Sequence, residues 1–144
     1  MGLVFAELVA PGQMTLPATR AYGSIAAYRG RVDLIKHASA AYFTTHPEPT
    51  LQHKLMAQLS TLDRASARRN DIAHGIGQPY VGVGVQTGYC LFPSYFLSNR
   101  RKIDGTPTYV YSSKEVARFG SQFRGLVAPL SEILDTLWAK RARS

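Results

Sequence analysis

Residues 51–75 read LQHKLMAQLSTLDRASARRNDIAHG, and this stretch decides the fold class. Leu55, Leu59 and Leu62 alternate spacings of four and three, which is the repeat of one helix face. Gly75 then closes the segment, as the residue type most common just past a helix C-terminus, where the backbone turns left-handed. A helix over residues 51–74 runs roughly 36 Å at 1.5 Å per residue. Continuing the rhythm lands on Ser66, Arg69 and Ala73, so the apolar stripe turns polar in its last two turns. Burying an unpaired guanidinium is expensive, which predicts that Arg69 is either paired or lines a cleft. His74 falls at the C-cap, where the negative end of the helix dipole favours a positive charge. Asn70 and His74 share a face. Arg69 and His74 diverge by roughly 140°, so fraying or a second protomer is needed to bring them together.

The flanks extend the helical reading. Residues 3–9 predict a short helix packing Leu3, Phe5 and Leu8, ended by Pro11 and Gly12. Residues 17–43 predict a long helix with Ile25, Tyr28, Val32, Ile35, Ser39 and Tyr42 on one side, and Arg20, Arg29, Arg31 and Lys36 on the other. Gly23 and Gly30 weaken it by about 1 kcal/mol each, so packing has to hold it, with a neighbour coming close. The short connector at 44–50, with Thr50 or the residue before it as cap, makes the two helices antiparallel neighbours. Ser112 and Glu115 form a capping box for a last helix over residues 113–141, whose stripe includes Val116, Phe119, Phe123, Leu126, Leu130 and Leu137. Pro129 is expected to kink it.

Between these helices the pattern changes. Residues 80–85 and 89–96 are aromatic and β-branched, with a turn at Gln86-Thr87-Gly88, and 106–111 form a third extended run. Gly82 and Gly84 leave one face of the first run bare, and Pro93 predicts an edge strand or a bend. The fold expected is mainly α: an antiparallel helical bundle with a small antiparallel β-element, about residues 79–111, inserted before the last helix, all in one domain over 1–144.

Net charge is +8, from 17 basic and 9 acidic residues, which favours polyanionic partners, nucleic acid first among them. The lone Cys90 excludes an intramolecular disulfide and multi-cysteine metal sites, and reads as a buried thiol. His37, His46 and His53 lack ligand spacing, so no metal or cofactor is expected. The first residues suit neither a signal peptide, a membrane span nor a myristoylation site, and a soluble cytoplasmic protein is expected.

The string Arg69-Asn70-Asp71-Ile72-Ala73-His74-Gly75 resembles the signature of the HEPN superfamily: an arginine, four residues and a histidine, with asparagine after the arginine. Residues 16–76 and 113–141 fit a HEPN-like helical bundle, while the middle segment departs from it. The resemblance implies a metal-independent endoribonuclease in which the arginine and histidine of two protomers meet and the RNA 2′-hydroxyl attacks. Such chemistry needs a proton acceptor, a proton donor and positive charge on the transition state. His74 suits either proton role, Arg69 the charge, and Asn70 either a hydrogen bond to His74 or a phosphate contact. Arg64 and Arg68 widen the RNA-binding footprint. Arg100, Arg101 and Lys102, beside Tyr95, Phe96 and Tyr109, suit a backbone-holding loop with stacking aromatics. RNA, a homodimer and an inhibitory antitoxin-like protein are the implied partners, and a toxin or defence effector the implied role. The competing reading is a non-catalytic dimerisation or RNA- or protein-binding module, with Arg68 paired to Asp71 and the tyrosines as strand core.

Overall fold

The four helices that periodicity predicts are six among the described residues: α1 (Gly2–Val9), α2 (Leu16–Ser24), α3 (Tyr28–Thr45), α4 (Pro49–Ala73), α5 (Ser113–Arg124) and α6 (Val127–Arg141). The structure, a computed structural model, describes residues 1–11, 13, 16–80, 88–94 and 105–142, with backbone alone at 141. It is mainly helical with a small three-stranded antiparallel sheet. The protein divides into two compact units, Met1–Arg64 with Gly125–Ser144, and Ala65–Arg124.

The first unit is built on aliphatic packing. Leu55 and Leu59 of α4 are fully buried together with Val32 and Ile35 of α3, Leu137 of α6 and Val4 of α1, and Phe5 of α1 is buried in the same cluster. Of the predicted face of α1, Phe5 and Leu8 are buried as expected, together with Val4 and Ala6, while Leu3 is 45% exposed. Val32 and Ile35 of α3 and Leu55 and Leu59 of α4 share one buried cluster in this unit, and only residues 46–48 separate the two helices. Gln58 Nε2 donates to the Leu126 carbonyl at 3.2 Å, and Lys140 pairs with Glu48, which makes α6 antiparallel to α4. Trp138 Nε1 donates to Glu7 Oε2 at 3.1 Å and ties α6 to α1.

Two predicted helices are interrupted, each for a local reason. The long helix over 17–43 breaks between Ser24 and Tyr28. Arg31 Nε donates to the Ile25 carbonyl at 2.7 Å, so a side chain replaces the helical partner. A Cβ at Gly30 would stand 2.9 Å from Ile25 Cγ2, so this glycine makes room for the break itself. The last helix breaks at Gly125-Leu126 rather than kinking at Pro129. Pro129 cannot donate to the carbonyl four residues back and its ring crowds that carbonyl, so it sits in the first turn of a new helix instead. Pro49 likewise opens α4, with Gln52 N–H donating to the Glu48 carbonyl, and Thr50 lies inside the helix rather than capping it.

In the second unit, α4 passes directly into β1 (Gly75–Tyr80), which pairs antiparallel with β2 (Gly88–Pro93) from Gly75 opposite Pro93 to Tyr80 opposite Gly88. The first strand thus begins at Gly75 and not at residue 80. β3 (Tyr111–Ser112) pairs with Leu91 and Cys90, so within the third run over 106–111 Tyr111 lies in β3 and Pro107 forms an isolated bridge. Pro93 ends the central strand rather than marking an edge; β3 stops short of it, so the proline costs that ladder nothing. Cys90 is buried with a free thiol. The capping box forms as expected: Ser112 N–H and Oγ each lie 2.8 Å from Glu115 Oε2, and Glu115 N–H donates back to Ser112 Oγ at 3.3 Å. These bonds hold the Glu115 carboxyl below its usual pKa. Tyr109, Tyr111 and Phe119 form the core here, with Ile72, Leu91, Val116 and Phe123 packed against them. Gly82, Gly84, the Gln86-Thr87 turn, Tyr95 and Phe96 lie outside the described residues.

Candidate functional site at the end of the long helix

The last turns of α4 separate two sets of side chains. Arg69, Asn70 and His74 are exposed, while Asp71 is 3% exposed and Ile72 faces the aromatic core. The stripe continued from Leu62 through Arg69 is therefore not the buried face. Within the second unit, burial in these turns follows the aromatic core that packs on Ile72 and the tyrosine hydroxyls that meet Asp71. Arg69 needs no buried partner; its NH1 donates to Asn70 Oδ1 at 3.3 Å on the surface.

Asp71 anchors the buried set. Arg68 NH1 donates to Asp71 Oδ2 at 3.0 Å and also to Tyr111 Oη, and the guanidinium stands 5.7 Å from the Tyr111 ring centroid. The Tyr111 hydroxyl donates to the same carboxylate oxygen at 3.2 Å. Burial, and then the Asp71 charge, push the Tyr111 phenol above its ordinary pKa against the opposing effect of Arg68, so it remains a neutral donor. The Tyr109 hydroxyl donates to the Asp71 carbonyl at 2.9 Å. That carbonyl belongs to the last turn, whose acceptors have no partner further along the helix, so the Tyr109 hydroxyl caps the C-terminal end of α4. His74 N–H donates to the Asn70 carbonyl at 3.0 Å and completes the turn. Tyr109 and Tyr111 stack with centroids 4.7 Å apart at 12°.

Gly75 has a different function from the one its position suggests. Among the described residues the only positive φ belongs to Gly105, at 80°, so Gly75 is no left-handed cap. It is there for space. A Cβ at this position would meet Leu91 Cγ at 2.6 Å and the Asp71 carbonyl oxygen at 2.9 Å, so only glycine lets the backbone leave the helix directly into β1 against β2.

The remaining expected residues are dispersed. Arg64 belongs to the first unit, where its NH2 donates to Thr61 Oγ1 at 3.2 Å. Arg68 is committed to Asp71 and Tyr111, with its side chain 50% exposed. Tyr109 is buried, so it is strand-side core and not a base-stacking surface. Arg100, Arg101 and Lys102 lie outside the described residues. Sequence reasoning missed the joint function of Asp71, Tyr109 and Tyr111. The available signals were an aspartate three residues after an arginine, and two tyrosines two apart, which puts both on one face of an extended run.

Among the described residues no hydrogen bond or ion pair joins Arg69 to His74, and no three His, Cys, Asp or Glu side chains are grouped to hold a metal ion. No described helix is long and apolar enough to cross a membrane. No protein-family model, curated protein or solved structure matches this sequence.

Proposed function

We propose that the exposed end of α4 is an RNA-cleaving face, in which Arg69, Asn70 and His74 from two copies of the protein act on one phosphodiester without a metal ion. The reading rests on the HEPN-like string. The observation that carries it is the division of the last turns: Arg69, Asn70 and His74 are exposed, while Arg68 and Asp71 beside them are locked to Tyr109 and Tyr111. Reactive groups presented from a fixed backbone are the arrangement catalysis requires. In one copy Arg69 and His74 point apart around the helix, so a symmetric pair is needed for the guanidinium of one to serve the imidazole of the other. One imidazole then takes the 2′-hydroxyl proton as that oxygen attacks phosphorus. The second imidazole protonates the departing 5′-oxygen, and the guanidinium balances the charge gathering on the phosphoryl oxygens.

The test is cleavage of single-stranded RNA by purified protein in excess EDTA, with Arg69→Ala and His74→Ala beside it and folding checked by circular dichroism. Cleavage by the parent, leaving 2′,3′-cyclic phosphate ends and lost by at least about 100-fold in both folded variants, is the expected result. Intact RNA after incubation with a folded dimer refutes catalysis and leaves a dimerisation or binding module.

A further inference from the structure

Charge in this protein is unevenly placed. Residues 65–124 hold eight basic and three acidic residues, a net +5 of the total +8. Both acids that the structure describes in this unit are engaged internally, Asp71 with Arg68 and Tyr111, and Glu115 in the cap of α5. The basic side chains of α5 are less committed: Lys114, Arg118 and Arg124 are exposed and none forms an ion pair among the described residues, although the Arg118 charge also acts on Glu115.

Their placement on the helix is regular. At 100° per residue, Lys114, Arg118 and Ser121 fall within a sector of about 60°, on the side opposite Val116, Phe119 and Phe123. Those three pack on the core, so the basic sector faces solvent. Arg124 starts outside this sector, but its NH2 donates to Ser121 Oγ at 3.3 Å, which draws the guanidinium towards it. Arg118 is steadied by its guanidinium lying 5.8 Å from the Phe119 ring centroid. The three cations thus line a strip about 15 Å long at 1.5 Å per residue. Lys114 is the most telling. It occupies the first turn of α5, where the positive end of the helix dipole disfavours a cation, so helix stability does not account for it.

We propose that this solvent face of α5 binds the sugar-phosphate backbone of single-stranded RNA, with Lys114, Arg118 and Arg124 as phosphate contacts. The proposal rests on the RNA reading of the α4 end and extends it from the scissile phosphate to the neighbouring strand. A strip one helix wide and of single sign fits one phosphate backbone, and Ser121 and Gln122 add neutral donors for phosphate oxygens or 2′-hydroxyls. Contacts of this kind hold the strand without reading its bases, so they predict affinity that falls steeply with salt and depends little on sequence.

The experiment measures binding of a fluorescent, 2′-O-methylated single-stranded RNA, which cannot be cleaved by 2′-hydroxyl attack, across a salt series. The variants are Lys114→Gln/Arg118→Gln/Arg124→Gln and, as a charge-matched control in the first unit, Arg20→Gln/Arg29→Gln/Lys54→Gln. The α5 triple variant is expected to lose on the order of 10- to 100-fold in affinity at 0.1 M salt, and the slope of log K against log salt to shrink by about 2, near 0.7 per lost phosphate contact. The control is expected to lose less than about threefold. Lys114→Glu, which suits its position on the helix dipole, separates lost binding from lost folding and is expected to weaken binding alone. Equal losses in the two triple variants, or an α5 triple variant that binds RNA like the parent, overturns the proposal. Cleavage of unmodified RNA keeps the two readings apart. RNA held by α5 but left uncut refutes catalysis at the α4 end while this proposal stands, and cutting with unchanged KM in the α5 triple variant refutes the strip alone.

Discussion

The two units of the protein are stabilised by different means, although one helix contributes to both. In the first, α4 buries Leu55 and Leu59 among aliphatic and aromatic side chains, and its contribution is transfer of apolar surface from water. In the second, the same helix buries Asp71, and the surrounding core is Tyr109, Tyr111 and Phe119. There the hydroxyls, a guanidinium and a carboxylate have to satisfy each other, because none has full access to water. An aliphatic core tolerates small displacements with gradual cost, whereas a hydrogen-bonded one holds a specific backbone position or fails. The exposed Arg69 and His74 are presented from the second kind.

Two substitutions break this contrast. Leu55→Ala, in a side chain with no exposure, is expected to cost about 2–5 kcal/mol by urea unfolding, the largest effect anticipated. Asp71→Asn removes the charge that Arg68 and Tyr111 share. Because Arg68 is half exposed, the cost is smaller, about 1–3 kcal/mol. Amide hydrogen exchange distinguishes the two: Asp71→Asn is expected to weaken protection across residues 65–80 while the α3 amides keep theirs, and Leu55→Ala to do the reverse. Protection lost evenly over all residues in both variants would refute the separation.

How much of this is legible in the sequence follows the range of the interactions. The span of α4 and the capping box of Ser112 with Glu115 are set by residues a few positions apart, and their patterns are readable. The break before Tyr28 is not, because it depends on Arg31 reaching the Ile25 carbonyl, which no periodicity encodes. The buried face at the end of α4 misleads for a related cause. Extrapolating Leu55, Leu59 and Leu62 assumes one partner along the whole helix, whereas the last turns bury Asp71 against tyrosines that arrive from positions 109 and 111. Gly75 stands out in the sequence, but its reason, the nearness of Leu91 sixteen residues on, belongs to the strand pairing. For the site, Arg69, Asn70 and His74 are legible as a string. Asp71, Tyr109 and Tyr111 require the fold, since the tyrosines reach Asp71 from 38 and 40 residues away.

The finest test compares single hydroxyls in the two units. Tyr109 Oη donates to the Asp71 carbonyl, whereas Tyr28 Oη is buried with no hydrogen-bond partner among the described residues. Removing a satisfied group orphans its partner, while removing an unsatisfied one relieves a desolvation cost. Tyr109→Phe is therefore expected to destabilise by about 1–2 kcal/mol, and Tyr28→Phe to be neutral or to stabilise by up to about 1 kcal/mol. Alkaline pH adds a second readout. Burial, and then the charge of Asp63, push the Tyr28 phenol up to about 12. An unfolded tyrosine loses its proton near pH 10, so between about 10 and 12 the folded state holds the proton that the unfolded state has released. Stability then falls as pH rises through that window, and below it this group contributes no slope. Tyr28→Phe is expected to flatten the fall, by at most about 1.4 kcal/mol per pH unit, in urea melts at pH 9 and 11. If Tyr28→Phe destabilises as much as Tyr109→Phe and leaves the alkaline slope unchanged, its hydroxyl is bonded after all, and the contrast between the two cores loses this support.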